Sequence, residues 1–143
     1  MKTDTTFLLV EDDEVDVMAM KRAFTRQKLA NELWVATDGL EALNILQGKH
    51  GTYPRPESVI VLLDLNMPRM NGHEFLAAVR DDPSLNRLVV FVLTSSDHQT
   101  DIAQAYDQHV AGYIVKTDVG TGGLYRALEL LEHYWRVVEL PHS

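Results

Sequence analysis

Val59-Ile60-Val61-Leu62-Leu63-Asp64 is an unbroken apolar run that stops on a carboxylate, and it is the strongest strand signal in the chain. Working outward, the same design recurs four times. Phe7-Leu8-Leu9-Val10 stops at Glu11-Asp12-Asp13, as a strand buried on both faces would. Leu33-Trp34-Val35-Ala36 is followed by Asp38, a helix N-cap candidate for Gly39 to Gln47 with Leu40, Leu43 and Leu46 on one face. Leu88 to Leu93 ends on Thr94-Ser95-Ser96, and Gly112 to Val115 ends on Lys116. Amphipathic stretches separate these runs: Glu14 to Lys28, His73 to Arg80, roughly 98–109, and a long last helix from about Thr121 to about Glu139. Asn71-Gly72 suits a hairpin, but no alternating strand follows it. Five strands alternating with five helices mean βαβ units, right-handed crossovers and a parallel sheet covered on both faces, an α/β fold.

Composition bounds the rest. At 143 residues the expectation is a single domain, 1–143, with a core of about 5–130 and a C-terminal helix extension of about 131–143. Thirteen basic against 21 acidic residues give a net charge of −8, which argues against non-specific binding to nucleic acid or an anionic membrane. A 45% hydrophobic content suffices for a core and excludes global disorder. Without cysteine there is no disulfide, no thiolate chemistry and no Cys-ligated zinc. The Phe7–Val10 run is too short for a signal peptide, and no apolar window is long enough to span a membrane. A soluble cytoplasmic protein is expected. Gly48 to Pro56 reads as a surface loop, and 48–58 is the only candidate insertion.

In open α/β sheets, ligands bind beyond the carboxyl ends of the strands. There, four strand ends would bring together Glu11, Asp12 and Asp13, then Asp64, Thr94 and Lys116. Two carboxylates at ~4 Å repel by about 4 kcal/mol at an effective dielectric of 20. A divalent cation resolves this, and all-oxygen ligation with retained waters suits Mg²⁺. A carboxylate beside Mg²⁺ and an ammonium is placed to attack a phosphoryl group and form an acyl phosphate.

Here the residues resemble a family. Glu11-Asp12, Asp64-Leu65-Asn66-Met67-Pro68 with Gly72, Thr94-Ser95 and Tyr113-Ile114-Val115-Lys116 are similar to the motifs of response regulator receiver domains over nearly the whole chain. The separations of 30 residues from Asp64 to Thr94 and 52 to Lys116 agree with it. The resemblance implies a flavodoxin-like (βα)5 fold with strand order 2-1-3-4-5; the chemotaxis response regulator is the standard example of that order. It makes Asp64 the phospho-acceptor, with Asp12 and Asp64 as Mg²⁺ ligands, the Asn66 backbone carbonyl as another, and Glu11 acting through water. Asp13 falls outside that shell. Lys116 pairs with the phosphate, Thr94 and Tyr113 are the switch pair, and Asn66 and Ser96 occupy positions that set the lifetime of the phosphate. Receivers usually carry proline after the lysine; Thr117 stands there, and a trans bond with an altered loop is expected. Such a protein is a phospho-acceptor rather than an enzyme, with at most slow self-phosphatase activity.

Each residue also has a plain structural reading. Asp12 or Asp13 alone would cap the following helix, Asp64 alone would be a turn residue, and Tyr113 alone core packing. The six histidines (50, 73, 98, 109, 133, 142) show no metal spacing and read as surface. An aspartate-nucleophile phosphohydrolase would carry a second carboxylate where Asn66 stands. A dinucleotide or flavin module would need a Gly-rich turn after the first strand. A degenerate receiver would not keep Asp12, Asp64, Thr94 and Lys116 together.

The last helix carries two apolar stripes, Leu124, Leu128, Leu131, Trp135 and Val138 beside Ala127, Leu130, Tyr134 and Val137. Together they cover more than the roughly 100° that packing on one sheet requires. A partner surface follows, most simply a homodimer through Leu130, Tyr134, Trp135, Val137 and Val138. That tail, the 48–56 loop and the Asp64–Gly72 segment resemble stand-alone receivers paired with bacterial phytochrome histidine kinases. A sensor histidine kinase is then the expected phosphodonor, and protein contact the expected output.

Overall fold

The structure is a computed structural model that describes residues 5–26, 30–67, 69–94 and 98–115. Nine elements follow one another: β1 (Thr6–Val10), α1 (Glu14–Arg26), β2 (Leu33–Ala36), α2 (Gly39–Leu46), β3 (Val59–Leu63), α3 (Gly72–Asp81), β4 (Val89–Thr94), α4 (Gln99–Asp107) and β5 (Gly112–Val115). The last helix read from sequence lies outside the described residues, together with Lys116, Thr117, Ser96 and the dimer-face residues Leu130, Tyr134, Trp135, Val137 and Val138.

All strands are parallel, in the order β2-β1-β3-β4-β5. The expected order is the observed one. Alternation along each strand divides the core into two layers. Phe7, Leu9, Ile60, Leu62, Phe91 and Leu93 face Met20, Ala23 and Phe24 of α1. Leu8, Val10, Val61, Leu63, Val90 and Val92 face Ala42 and Leu46 of α2, Phe75 and Val79 of α3, and Ala105 of α4. β1 and β3 are buried throughout, which is why they read as unbroken apolar runs. β2 and β5 are the sheet edges and are mostly half-buried, so the reading of fully buried strands holds only for the centre.

Local chemistry sets the helix ends. Asp38 caps α2, its carboxylate accepting from the Glu41 N–H at 2.8 Å. Asn71 caps α3 in a capping box, accepting from the Glu74 N–H while the Glu74 side chain takes the Asn71 N–H at 3.0 Å. The α3 start falls at Gly72, one residue before the expected His73.

Two histidine expectations are corrected. His50 and His73 are not free surface groups: their side chains are half-buried and each pairs with a carboxylate. His50 Nε2 lies 3.1 Å from Glu41, and its Nδ1 accepts from the Thr52 and Tyr53 N–H groups. With the Trp34–Tyr53 stack, ring centroids 4.7 Å apart, it pins the 48–56 loop over the β2 edge. Glu41 is held below the usual carboxylate range: burial pushes its pKa up, but the Thr37 N–H, His50 and the Thr37 hydroxyl outweigh it.

Candidate phosphoryl-acceptor site

Strand pairing assembles the site. The registers Val10↔Leu63 and Leu63↔Val92 align the carboxyl ends of β1, β3 and β4. Pairing continues one step past β3, where the Asp64 N–H donates to Val10 O at 3.0 Å, and past β1, where the Glu11 N–H donates to Ala36 O at 2.9 Å. The backbone positions of Glu11 and Asp64 are thereby set by the sheet. Glu11 is buried, Asp64 half-buried and Asp12 exposed, and one carboxylate oxygen from each lies within 4.8 Å of the others.

Thr94, fully buried at the end of β4, donates its hydroxyl to Asp64 Oδ1 at 2.9 Å. The Asn66 N–H approaches the same oxygen at 3.3 Å. Asp13 turns away: its carboxylate accepts from the Val15 N–H at 2.9 Å and caps α1. Of the two readings for the Glu11-Asp12-Asp13 run, the cap applies to Asp13 and the cluster takes Glu11 and Asp12. Tyr113, half-buried on β5, packs against the core layer that contains Val92.

A hard divalent cation fits this donor set, which is oxygen throughout and brings three carboxylates to one place. Asp12 and Asn66 also line an open depression with Met67, His73 and Asp101. His73 Nε2 meets Asp101 Oδ1 at 3.0 Å and so ties α3 to α4 on that rim.

One contact escapes sequence reading. Arg69, in the loop after Asp64, has a left-handed backbone (φ 60°) and donates its Nε to Asp38 Oδ2 at 2.7 Å, with Nη2 on the same oxygen. Beside it the Gly39 N–H donates to Met70 O at 3.1 Å. Burial pushes the Asp38 carboxyl up, but the Glu41 N–H and the Arg69 guanidinium outweigh it and hold the group below its ordinary value.

Comparison with known proteins agrees with the geometry. The family model of the response regulator receiver domain matches residues 7–127. Response regulator Rcp1 of Synechocystis sp. is 35% identical over 137 residues, covering 94% of this chain and 91% of the relative. Among solved structures, the phosphorylated cyanobacterial phytochrome response regulator RcpA superposes with a TM-score of 0.83 at 33% identity, covering 95% of this chain and 97% of that one. The Mn²⁺-bound form of Rcp1 gives 0.82 at 34% identity, covering 95% and 98%.

Proposed function

This chain belongs to the response regulator receiver family, and we propose that within it Asp64 is the residue that accepts the phosphoryl group. The observation that carries the assignment is a single carboxylate, at the end of the most buried strand, shared by the Thr94 hydroxyl and the Glu11–Asp12 acids.

A phosphohistidine of a sensor histidine kinase is the donor. One Asp64 carboxylate oxygen attacks phosphorus, the P–N bond breaks, and an acyl phosphate forms on Asp64. The imidazole leaves with the bonding pair and takes a proton from solvent. Asp12, Asp64 and the Asn66 backbone carbonyl would hold Mg²⁺, and Glu11 would act on it through water. When bound, Mg²⁺ neutralises charge on the phosphoryl oxygens. Lys116, next in the chain after Val115, supplies a further positive charge, and Thr94 transfers its hydroxyl hydrogen bond from Asp64 to the phosphoryl group. Tyr113 follows Thr94 as the second member of the switch. The acyl phosphate hydrolyses slowly, with Asn66 and Ser96 setting its lifetime.

RcpA is described as a phytochrome response regulator, and its likeness over nearly the whole chain supports a phytochrome kinase as the donor here. Among the described residues no helix is long and apolar enough to cross a membrane. The output is protein contact. The apolar stripes through Leu130, Tyr134, Trp135, Val137 and Val138 support a homodimer, which sedimentation of a Tyr134→Ala/Trp135→Ala variant against wild type tests; a wild type that stays monomeric at tens of micromolar, with or without a phosphoryl analogue, ends that assignment.

The acceptor is tested with acetyl phosphate, with and without Mg²⁺, followed by intact mass. One alkali-labile, Mg²⁺-dependent phosphoryl group is expected, absent in Asp64→Asn. Turnover of many equivalents would mean a hydrolase, and a wild type without adduct would end the proposal.

A further inference from the structure

We propose, resting on the receiver reading and deepening it, that Arg69 is a positioning residue: its ion pair with the buried Asp38 fixes the loop carrying Asn66, and so sets the affinity of the Asp64 site for its divalent cation.

Three of the site's groups need no such help. Glu11, Asp64 and Thr94 sit at the ends of paired strands, held by the sheet. Asn66 has no strand partner; it belongs to the connection between β3 and α3. That connection is closed at its neck, where the Gly72 N–H donates to Leu65 O at 2.9 Å. Its far side is fastened to the start of α2 by two contacts, Arg69 to Asp38 and the Gly39 N–H to Met70 O. A residue with a Cβ adopts the left-handed conformation of Arg69 only where its surroundings hold it there. The holding group is unusually well suited: Asp38 is 3% exposed and already oriented, because its other oxygen caps α2 through the Glu41 N–H. The two carboxylate oxygens therefore do different work. Oδ1 ends a helix, and Oδ2 receives a guanidinium from a residue 31 positions away. A fixed acid thus holds the far side of a loop whose near side is set by Leu65 and Met67 in the core.

This division suggests the variants. Asp38→Asn keeps an oxygen for the cap and removes the charge that Arg69 meets. Arg69→Gly removes the side chain and at the same time relieves the left-handed strain, so the fold is retained. Both are titrated with Mg²⁺, following the backbone amide shifts of Asp64 and Asn66, alongside thermal melts and hydrogen exchange at the Gly39 N–H in metal-free protein. Each single variant is expected to weaken Mg²⁺ binding about tenfold, the scale for loss of a group that orients a ligand. The double variant should be no weaker than the worse single one, because the pair is one device. Arg69→Lys should recover part of the affinity. In Arg69→Gly exchange at Gly39 should quicken and Mg²⁺ affinity fall while the melting temperature stays near wild type; a purely structural role would not lower the affinity of a protein that remains as stable. Wild-type affinity in Arg69→Gly, or single effects that multiply in the double variant, would overturn the proposal even where Asp38→Asn fails to fold. A wild type that binds no Mg²⁺ would instead sink the receiver assignment and this inference with it.

Discussion

Replacing Gly72 with alanine sets two effects of known size against each other at the acceptor itself. An added Cβ would lie 2.6 Å from Leu65 Cα and 2.7 Å from the Asp64 carbonyl oxygen, against an ordinary contact of 3.4–4 Å. Both neighbours are main chain just beyond β3, the central strand of the sheet, so neither can swing aside as a side-chain tip would. The helix side is held as well, by the Asn71–Glu74 capping box and the Gly72 N–H on Leu65 O. Forced overpacking of this kind costs about 1–3 kcal/mol. Working the other way, Gly→Ala restricts the unfolded chain and returns about 0.4–1 kcal/mol. With backbone on both sides of the clash the upper figure applies, leaving a net loss of about 2 kcal/mol, roughly 30-fold in the folding equilibrium. For a domain of this size that lowers the melting temperature by roughly 4–8 °C. Because the atoms displaced include the Asp64 carbonyl, phosphorylation by acetyl phosphate should slow in the fraction that remains folded. Gly51→Ala is the control: nothing lies within 4 Å of its added Cβ, so only the unfolded-state gain applies. Urea denaturation of the two variants decides. A Gly72→Ala midpoint at or above wild type would show that the loop yields freely, and the close-approach reasoning would be wrong.

Arg80 donates to four backbone carbonyls, those of Gln108, Asn86, Leu88 and His109, at 2.6–3.1 Å. Arg80→Met keeps the stem but takes the donor from the part-buried Gln108 and Leu88 carbonyls, so chemical denaturation should register a loss of roughly 1–3 kcal/mol, which lysine restores only in part. Burial pushes the Asp38 carboxyl up, but the Glu41 N–H and the Arg69 guanidinium hold it below the usual carboxylate range, so its contribution to stability is present above the ordinary carboxylate pKa and is lost as pH falls through the lower native one. The stability gap between wild type and Asp38→Asn should therefore shrink between about pH 5 and pH 2 in acid-titrated melts; a constant gap would contradict the sign. Thr94→Val, close in volume at a fully buried position, removes the hydroxyl that Asp64 accepts. Acetyl phosphate should still modify Asp64, but the amide shifts at Tyr113 on phosphorylation should collapse, and an unchanged response would separate Thr94 from the switch.

The parts legible in the sequence are those written locally. β3 and β1 are apolar because both faces are covered, and their terminal acids follow in the next residue, so strand and ligand could be read together. Asp38 as a cap was equally local, since a cap needs only its own next turn. Its second role was not, because Arg69 lies 31 residues on and nothing in an Asn-Met-Pro-Arg-Met stretch marks a left-handed arginine. His50 and His73 misled for a related reason. Ligand spacing is a local signal, and their partners Glu41 and Asp101 come from other elements, 9 and 28 residues away. The 48–56 loop looked solvated by its Gly and Pro content, yet the Trp34 ring it covers sits on a strand read only for its apolarity.

The same distinction separates what the sheet can hold from what it cannot. A parallel ladder fixes strand ends to within the tolerance of backbone hydrogen bonds, so three oxygen-bearing side chains from β1, β3 and β4 are prearranged by register alone. A ladder has no hold on a connection, and a cation site that draws on a loop residue inherits the freedom of that loop unless something outside it supplies a constraint. Here the constraint is a buried acid already immobilised by the helix it caps. Anchoring a loop to a cap adds little conformational cost, because the acid had lost its freedom when the helix formed. A substitution in β3 should thus disturb the fold and the site together, whereas one at Arg69 should alter the site and leave the fold intact.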